Sequence, residues 1–396
     1  MSDALDYTTP AVILQSGHHG ALGIVRSLGR LGVPVYCIDG ARWQPAFSSR
    51  YCKARFVVNV ETAPPAQSVA ALLEISRRLS GRPALIPTTD LAAIWLADHA
   101  AFLESAFRFQ KQDAELVRTL CDKGRMQDLA LRNGIPVAQS LIPRSTKDLE
   151  RFLETANFPV MVKATDAARV RARAGGTKFV VRSSQNLLDL YARVGDLDEP
   201  GLMIQEFIPG EDWMFNGCFD DASRCIFGVT GKKIRRFPVN TGVTSLGVCL
   251  RNDKVEKQTA AFMKAIGYRG ILDIGYRYDR RVDQYKVLDV NPRIGCTFRL
   301  FTATNGMDVA RAFYLNLTGQ AVVPAKAHEG RKWIVEDFDL YSALRSLTGQ
   351  GLSVEDWMRS FRGIQEAACF APDDPVPFLL MPAADCFELY RWFRHR

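Results

Sequence analysis

Residues 286–295, KVLDVNPRIG, hold the side chains best suited to chemistry. The run opens as a strand, with Val287, Leu288 and Val290 apolar, then delivers Asp289, Asn291 and Arg293 at its end. An unpaired buried charge is expensive, so a core strand carrying Asp289 predicts a cation beside it, and Arg293 predicts an anion. A second strand-like run, ILDIGYRYD, carries Asp273 in equally apolar surroundings, and RRVDQ between the two runs predicts a turn that pairs them as a hairpin. Two carboxylates sharing a buried site repel one another unless a cation lies between them. Asn291, two residues beyond Asp289, shares its face in an extended chain. Two acids and an amide oxygen make an all-oxygen set that suits magnesium or manganese rather than zinc. Magnesium held by few protein groups is usually shared with substrate phosphates. The bland alternative is a hairpin whose acids are neutralised by neighbouring arginines or lysines.

Basic residues elsewhere fit the same chemistry. FPVMVKATD ends an apolar strand in Lys163, where a point charge reaches a phosphate. TDAARVRARAGGTKFVV follows, basic and with Gly175 and Gly176 before Lys178; it is expected to be a flexible loop able to fold over phosphates, against an ordinary solvated hairpin. An arginine fork suits a carboxylate, which makes Arg235 in IRRFPV and Arg299 in CTFRLF candidates for an amino-acid carboxyl group, against plain surface arginines.

Three regions position these groups. In residues 1–120, strand-like AVILQ, PVYCID and ALIPT alternate with helical IVRSLGRLG, ISRRL and LAAIWLADHAAFL, which predicts a doubly wound parallel sheet of the α/β class. The turn after the first strand is where such sheets bind anionic ligands. Its glycines, Gly17, Gly20 and Gly23, depart from the dinucleotide spacing, although Asp39 stands where a ribose-binding acid would; a nicotinamide site is the weaker alternative to a simple tight turn. Gly17 and His18 are candidates for substrate contact, since adjacent histidines seldom face one metal. Residues 121–320 carry the site: a capped helix beginning near Asp122, buried strands around Lys163 and in LMIQEF, an antiparallel pair CIFGVTGKKIRRFPV and TSLGVCL, and the hairpin. Residues 321–396 read as a helical appendage, from WIVEDFDLYSALRSL and VEDWMRSFRG, closed by the basic, aromatic FELYRWFRHR as a docked helix rather than a membrane-surface one.

Composition narrows the setting. The 396 residues are 47% hydrophobic and 24% charged, as in a soluble globular chain of two or three domains. The net charge of +8 is dispersed, with only RVRARAGG and KKIRR as clusters, which favours a phosphate-bearing small ligand over nucleic acid. Nine cysteines occur without CxxC pairs, and neither a signal-peptide pattern nor a membrane-spanning run is present, so a cytoplasmic protein is expected. Assembly stays open, a homodimer included.

In order along the chain, PTTD (87–90), DKGRM, PVMVKATD, GGTK, IQEFIPGED, ILDIGYRYD and LDVNPRIG resemble the blocks of the ATP-grasp superfamily, and most closely its carboxylate–amine ligase branch, which includes D-aspartate ligases. The resemblance spans about residues 11–320. It implies an N-terminal sheet domain, a two-subdomain ATP-grasp fold at 121–320 and the appendage, with ATP and magnesium as cofactors. By the same resemblance, Lys123 and Lys163 hold ATP phosphates and Lys178 lies on the loop closing over them. Glu206, Phe207 and Ile208 form the hinge whose backbone meets adenine, and Glu211 is the ribose acid. Asp273, Asp289 and Asn291 are the metal ligands, and Arg293 steadies the transferring phosphate and the acyl phosphate. Aspartates stand where many members carry glutamates, and TDAARVRARAGG is longer and more basic than a compact glycine-rich loop. The implied activity joins small-molecule carboxylate and amine substrates into an amide, releasing ADP and phosphate. A catalytically idle nucleotide-binding scaffold would more readily have lost one of these groups.

Overall fold

The computed structural model describes residues 5–381 apart from 80, 166, 195–200, 240–241, 324 and 349–350. FELYRWFRHR lies outside the described residues. Four strands, β1 (Ala11–Leu14), β2 (Val35–Asp39), β3 (Cys52–Val57) and β4 (Ala84–Pro87), pair in parallel in the order β3-β2-β1-β4. Every residue of β1 is buried, because strands of a parallel sheet are covered on both faces. Ala11 and Ile13 pack with Leu22 and Val25 of the helix His19–Gly29, while Val12 and Leu14 pack with Leu72 and Trp95 of the helices Pro65–Arg78 and Asp90–Asp98 on the other side. The doubly wound layer expected from the sequence is present.

A small antiparallel sheet follows: β5 (Ser140–Leu141), β6 (Val160–Ala164), β7 (Lys178–Val181) and β8 (Leu202–Glu206), in the order β5-β8-β6-β7. The large sheet contains β9 (Asp212–Phe219), β10 (Cys225–Phe237), β11 (Val243–Cys249), β12 (Gly270–Asp279), β13 (Gln284–Asn291), β14 (Lys332–Ile334) and β15 (Ile364–Ala367), in the order β13-β12-β9-β10-β11-β14-β15. Phe215, Leu272, Ile274 and Tyr276 on one face pack against Phe262 and Met263 of the helix Asp253–Ala265. The other face is divided: Cys218, Val229 and Ile271 pack toward the first sheet's layer, and the remainder looks across a cleft at the small sheet.

Two local readings are corrected. TDAARVRARAGG is not a flexible loop along its length, since Ala167–Ala174 is a helix and Val170 is fully buried with Leu187 and Leu190 of the helix Ser184–Val194. One apolar anchor among arginines is enough to seat a turn of helix that composition alone reads as solvated. The C-terminal appendage is not wholly helical either. Its helix begins at Glu336, not Trp333, and the residues before it form β14, which extends the edge of β11, with β15 beyond. An open sheet edge offers unpaired backbone groups that recruit a short apolar segment.

A buried ion pair seats this appendage. Asp339, 1% exposed, accepts from Nε and Nη2 of Arg235 at 2.8 and 2.9 Å and from Nε1 of Trp357 at 3.0 Å. Asp339→Ala strands the Arg235 charge and is expected to cost about 3–5 kcal/mol, measured as a shift in the denaturant midpoint. An unchanged midpoint would show the pair to be dispensable. No helix among the described residues is long and apolar enough to cross a membrane.

Candidate active site

The hairpin forms as its sequence predicts. β12 and β13 pair with Asp273 opposite Asn291 and Gly275 opposite Asp289, and β9 places Asn216 on the other side of Asp273. Asn216, Asp273 and Asn291 therefore form a row across three strands, with Asp289 one step along the same face. Glycine is what makes room for both carboxylates: a Cβ on Gly275 would lie 2.3 Å from Oδ1 of Asp289, and one on Gly295 would lie 2.5 Å from Cγ of Asp273. Asn216 donates from Nδ2 to Asp273 Oδ1 at 2.9 Å, and Asn291 donates to Asp273 Oδ2 at 3.2 Å. Arg293 reaches Asp273 at 3.4 Å through Nη1 and donates from Nε to Asp90 at 2.9 Å, which ties the hairpin's end to the segment that closes the first sheet.

The two acids differ electrostatically. Burial raises the Asp273 pKa, and the charge of Asp289 adds to this against the pull of Arg293. Burial opposes ionisation of Asp289 too, but Lys178, Lys233 and Lys163 outweigh it and hold Asp289 below the usual carboxylate range. For Arg293, burial disfavours the charge, and Asp90 and Asp273 more than restore it.

Across the cleft stands the lysine wall. Lys163 and Lys178 are directly opposite one another on β6 and β7. Lys163 is 8% exposed, and burial, with the Lys178 charge, pulls it down to about 8. Lys123 is the first residue of the helix Lys123–Arg132, which Asp122 caps by accepting from the Arg125 backbone N–H at 2.8 Å. The Lys123 ammonium donates to the Ala164 carbonyl at the end of β6, and burial and then Lys178 lower its pKa. The space between the sheets is a cleft with Lys163, Lys178, Glu206, Phe207 and Ile208 on the small-sheet side and Asp212, Lys233, Arg236 and Asp289 on the other.

At the hinge, Glu206 accepts from the Gln139 backbone N–H at 3.0 Å and pairs with Lys286 at 2.5 Å and Arg281 at 3.0 Å. Glu211, expected from the sequence to serve the cleft, instead pairs with Lys232 at 2.6 Å and is absent from the cleft wall. Its neighbour Asp212 faces the cleft, paired with Arg277 at 2.5 Å and Arg236 at 2.6 Å. One residue of register decides which acid looks inward.

The two candidate carboxylate forks are not brought to the cleft. Arg235 is held by Asp339, and Arg299 makes a two-pronged bond to Glu366 at 2.7 and 2.6 Å besides pairing with Asp308. Lys233 and Arg236, by contrast, line the cleft; the sequence marks Lys233 only as part of the basic cluster KKIRR, and Arg236 as standing with Arg235 before a segment expected to edge the cleft. The register shifts between Lys233 and Arg235 and again between Arg235 and Arg236. Bulges of this kind re-aim side chains, so strict alternation could not have found the pair. Asn216 is legible in the sequence too, as an amide inside the otherwise apolar run of β9, where it is fully buried.

The first loop meets the same region. His18 bonds the Thr88 carbonyl through Nε2 at 3.1 Å, accepts from the Ala21 backbone N–H at 3.3 Å and lies 3.5 Å from Sγ of Cys296, just past Arg293. Gly17 is exposed beside Asp39, whose carboxylate accepts from Gln44 and from the Ala41 backbone within its own turn.

A parallel α/β layer followed by two sheets that face each other over a lysine-walled cleft is the architecture of the ATP-grasp fold, and this chain has it. Comparison with known proteins bears out the resemblance drawn from the sequence blocks. The chain is 25% identical over 285 residues to D-aspartate ligase of Enterococcus faecium (strain Aus0004), covering 66% of each chain. It is 26% identical over 227 residues to the carbamoyl phosphate synthase large chain of Thermomicrobium roseum, covering 55% of this chain and 21% of that one. The chain thus spans just under two-thirds of the length of the first relative and about a fifth of the second. Among solved structures, N5-carboxyaminoimidazole synthetase from Staphylococcus aureus complexed with ADP superposes with a TM-score of 0.64 at 14% identity, covering 82% of this chain and 81% of that one. No protein-family model matches the chain.

Proposed function

We propose that this chain is an ATP-dependent carboxylate–amine ligase that forms an amide through an acyl phosphate and releases ADP and phosphate. The observation that carries the reading is the facing of two charged walls: Lys163 and Lys178 of the small sheet against Asp289 and Lys233 of the large one, with Asp273, Asn291 and Arg293 beside Asp289 at the hairpin's end. In this reading the adenine lies along Glu206, Phe207 and Ile208, with Asp212 rather than Glu211 toward the ribose. Lys123, Lys163 and Lys178 hold the phosphates, with Lys233 added from the opposite wall.

The donor set fits a hard divalent cation: two carboxylates and an amide oxygen on one face, with an acid whose pKa burial and its neighbour raise. Asp273, Asp289 and Asn291 would hold Mg2+, which neutralises charge on the β- and γ-phosphates when bound. The protein's own part is positional and electrostatic. The lysines draw the γ-phosphoryl group toward a substrate carboxylate, which attacks phosphorus and expels ADP. Arg293, anchored by Asp90, stabilises the charge on the phosphoryl group and then on the acyl phosphate. An amine attacks the acyl carbon, phosphate leaves, and the ammonium proton passes to a base or solvent. Exclusion of water between the sheets protects the acyl phosphate.

The experiment that tests this is nucleotide product analysis from Mg-ATP across a matrix of acids and amines. ADP and phosphate formed only with particular pairs supports the reading; AMP and pyrophosphate overturns it. The reading also sets a pH dependence. Lys163 binds phosphate as the ammonium ion, and its pKa of about 8 in the free protein means the binding form is half present at pH 8, predominates below it and declines above it. The MgATP dissociation constant is therefore expected to rise by up to about tenfold per pH unit above 8, read by calorimetry. Lys163→Met should remove that slope, and a slope unchanged in the variant would detach it from Lys163.

A further inference from the structure

We infer that Cys296 is a nucleophilic thiol activated by His18, a modification site that hydroperoxides oxidise to the sulfenic acid, and that its modification stops the reaction proposed for the neighbouring cleft. The consequence for turnover rests on the ligase reading; the thiol chemistry does not. The histidine carries the first part. His18 Nε2 bonds the Thr88 carbonyl at 3.1 Å. A carbonyl can only accept, so Nε2 carries the ring hydrogen and Nδ1 keeps its lone pair. That lone pair faces Sγ of Cys296 at 3.5 Å and is otherwise shared with the Ala21 backbone N–H at 3.3 Å. A thiol, a base within its reach and a third group that orients the base are the parts of an activated nucleophile.

The surroundings favour the thiolate. Cys296 lies against the first turn of the helix His19–Gly29, since a Cβ on Gly20 would fall 2.8 Å from Cys296 Cα and 2.9 Å from His18 Cε1. The unsatisfied N–H groups of a first turn lower a nearby thiol pKa, as a neighbouring arginine or imidazolium does. Burial opposes ionisation of Cys296, but His18 and then Arg293 outweigh it, against the charge of Asp273, and hold the thiol below its ordinary range. Cys296 and His18 are both partly exposed, so a small reagent reaches the sulfur. Other accessible thiols are less prepared. Cys225 is exposed but donates its S–H to the Phe227 carbonyl at 3.2 Å, and burial pushes Cys121 up to about 12. Cys52, also held below its ordinary range, owes this chiefly to the Cys37 thiol. In the oxidation, the thiol proton moves to His18 Nδ1, sulfur attacks one peroxide oxygen and the O–O bond breaks. With hydrogen peroxide the departing hydroxide takes the proton from Nδ1 and leaves as water; sulfur is oxidised to Cys–SOH and the peroxide is reduced. Gly20 leaves no room on the loop side for the added oxygen, which either displaces the loop or crowds Arg293. Either course disturbs the Arg293 end of the cleft.

The test is iodoacetamide labelling at about neutral pH, followed cysteine by cysteine through peptide mass spectrometry. Cys296 should react at least about tenfold faster than Cys121 and than the more exposed Cys225. His18→Asn removes the imidazole and keeps a helix-capping side chain; it should slow Cys296 about tenfold, with Cys52 within about twofold. Hydrogen peroxide should add one oxygen to the Cys296 peptide and lower ADP formation at least about tenfold, and dithiothreitol should restore it. Cys296→Ser should turn over at the parent's rate and resist peroxide. Cys225 reacting as fast as Cys296, or an unchanged Cys296 rate in His18→Asn, overturns the activation. Peroxide inactivation undiminished in Cys296→Ser overturns the effect on turnover. Labelling as expected in a chain that forms no ADP with any acid–amine pair supports the thiol and overturns the ligase reading instead.

Discussion

Asp289→Asn should lower turnover by roughly two to three powers of ten, the scale on which a single charge-stabilising group acts. The substitution keeps the shape that Gly275 accommodates and removes only the negative charge. That charge does two things. In the proposed reaction it would give a divalent cation its most strongly ionised ligand, since Asp289 is the acid held below the ordinary range. It also offsets Lys163, Lys178 and Lys233, which otherwise face one another across the cleft. The measurement is steady-state ADP formation, with far-UV circular dichroism to show the fold intact. Turnover equal to that of the parent protein would sink the metal role. A titration of activity against Mg2+ separates the two contributions: weakened metal binding shifts the half-saturating concentration upward, whereas lost lysine compensation lowers the plateau.

Arg293→Ala should be of similar size, again roughly two to three powers of ten, and should fall on kcat more than on KM for MgATP. The guanidinium is fixed from two sides, by Asp90 at 2.9 Å and Asp273 at 3.4 Å, so it arrives oriented rather than being recruited by substrate. Preorganisation is what lets one donor contribute so much. Arg293→Lys keeps the charge but loses the fork, and should recover only part of the rate. Asp90→Asn leaves Arg293 in place and weakens its anchor; as a positioning residue it should cost less, and its loss should shrink when tested in the Arg293→Ala background. Full activity in Arg293→Ala removes it from the mechanism, and equal, additive losses at Asp90 and Arg293 would argue against their acting together.

Much of this was legible along the chain. Asp273 and Asp289 could be brought together because RRVDQ turns one strand back on the next, and the structure forms that hairpin, with Asp273 opposite Asn291 and Gly275 opposite Asp289. Asp122 capped its helix as expected, because a cap is a contact between residues three apart. The doubly wound first layer followed from alternating periods of two and 3.6, which are properties of local backbone geometry.

What escaped the sequence was decided at a distance. Glu211 and Asp212 are equally acidic neighbours, and only the pairing of β9 in the large sheet turned Asp212 to the cleft and Glu211 to Lys232. Arg235 and Arg236 were indistinguishable by type, and register shifts in β10 sent one to Asp339 and the other to Asp212. Arg299 was a reasonable carboxylate ligand until Glu366, 67 residues away, took both prongs of its fork. The sequence by itself determined the element types, the order of the charged blocks and the face of the hairpin, because these depend on neighbours within a few residues. Tertiary structure alone decided which charges face the cleft and which face one another, because each buried ion chooses its partner by desolvation and proximity across segments that the chain does not otherwise connect.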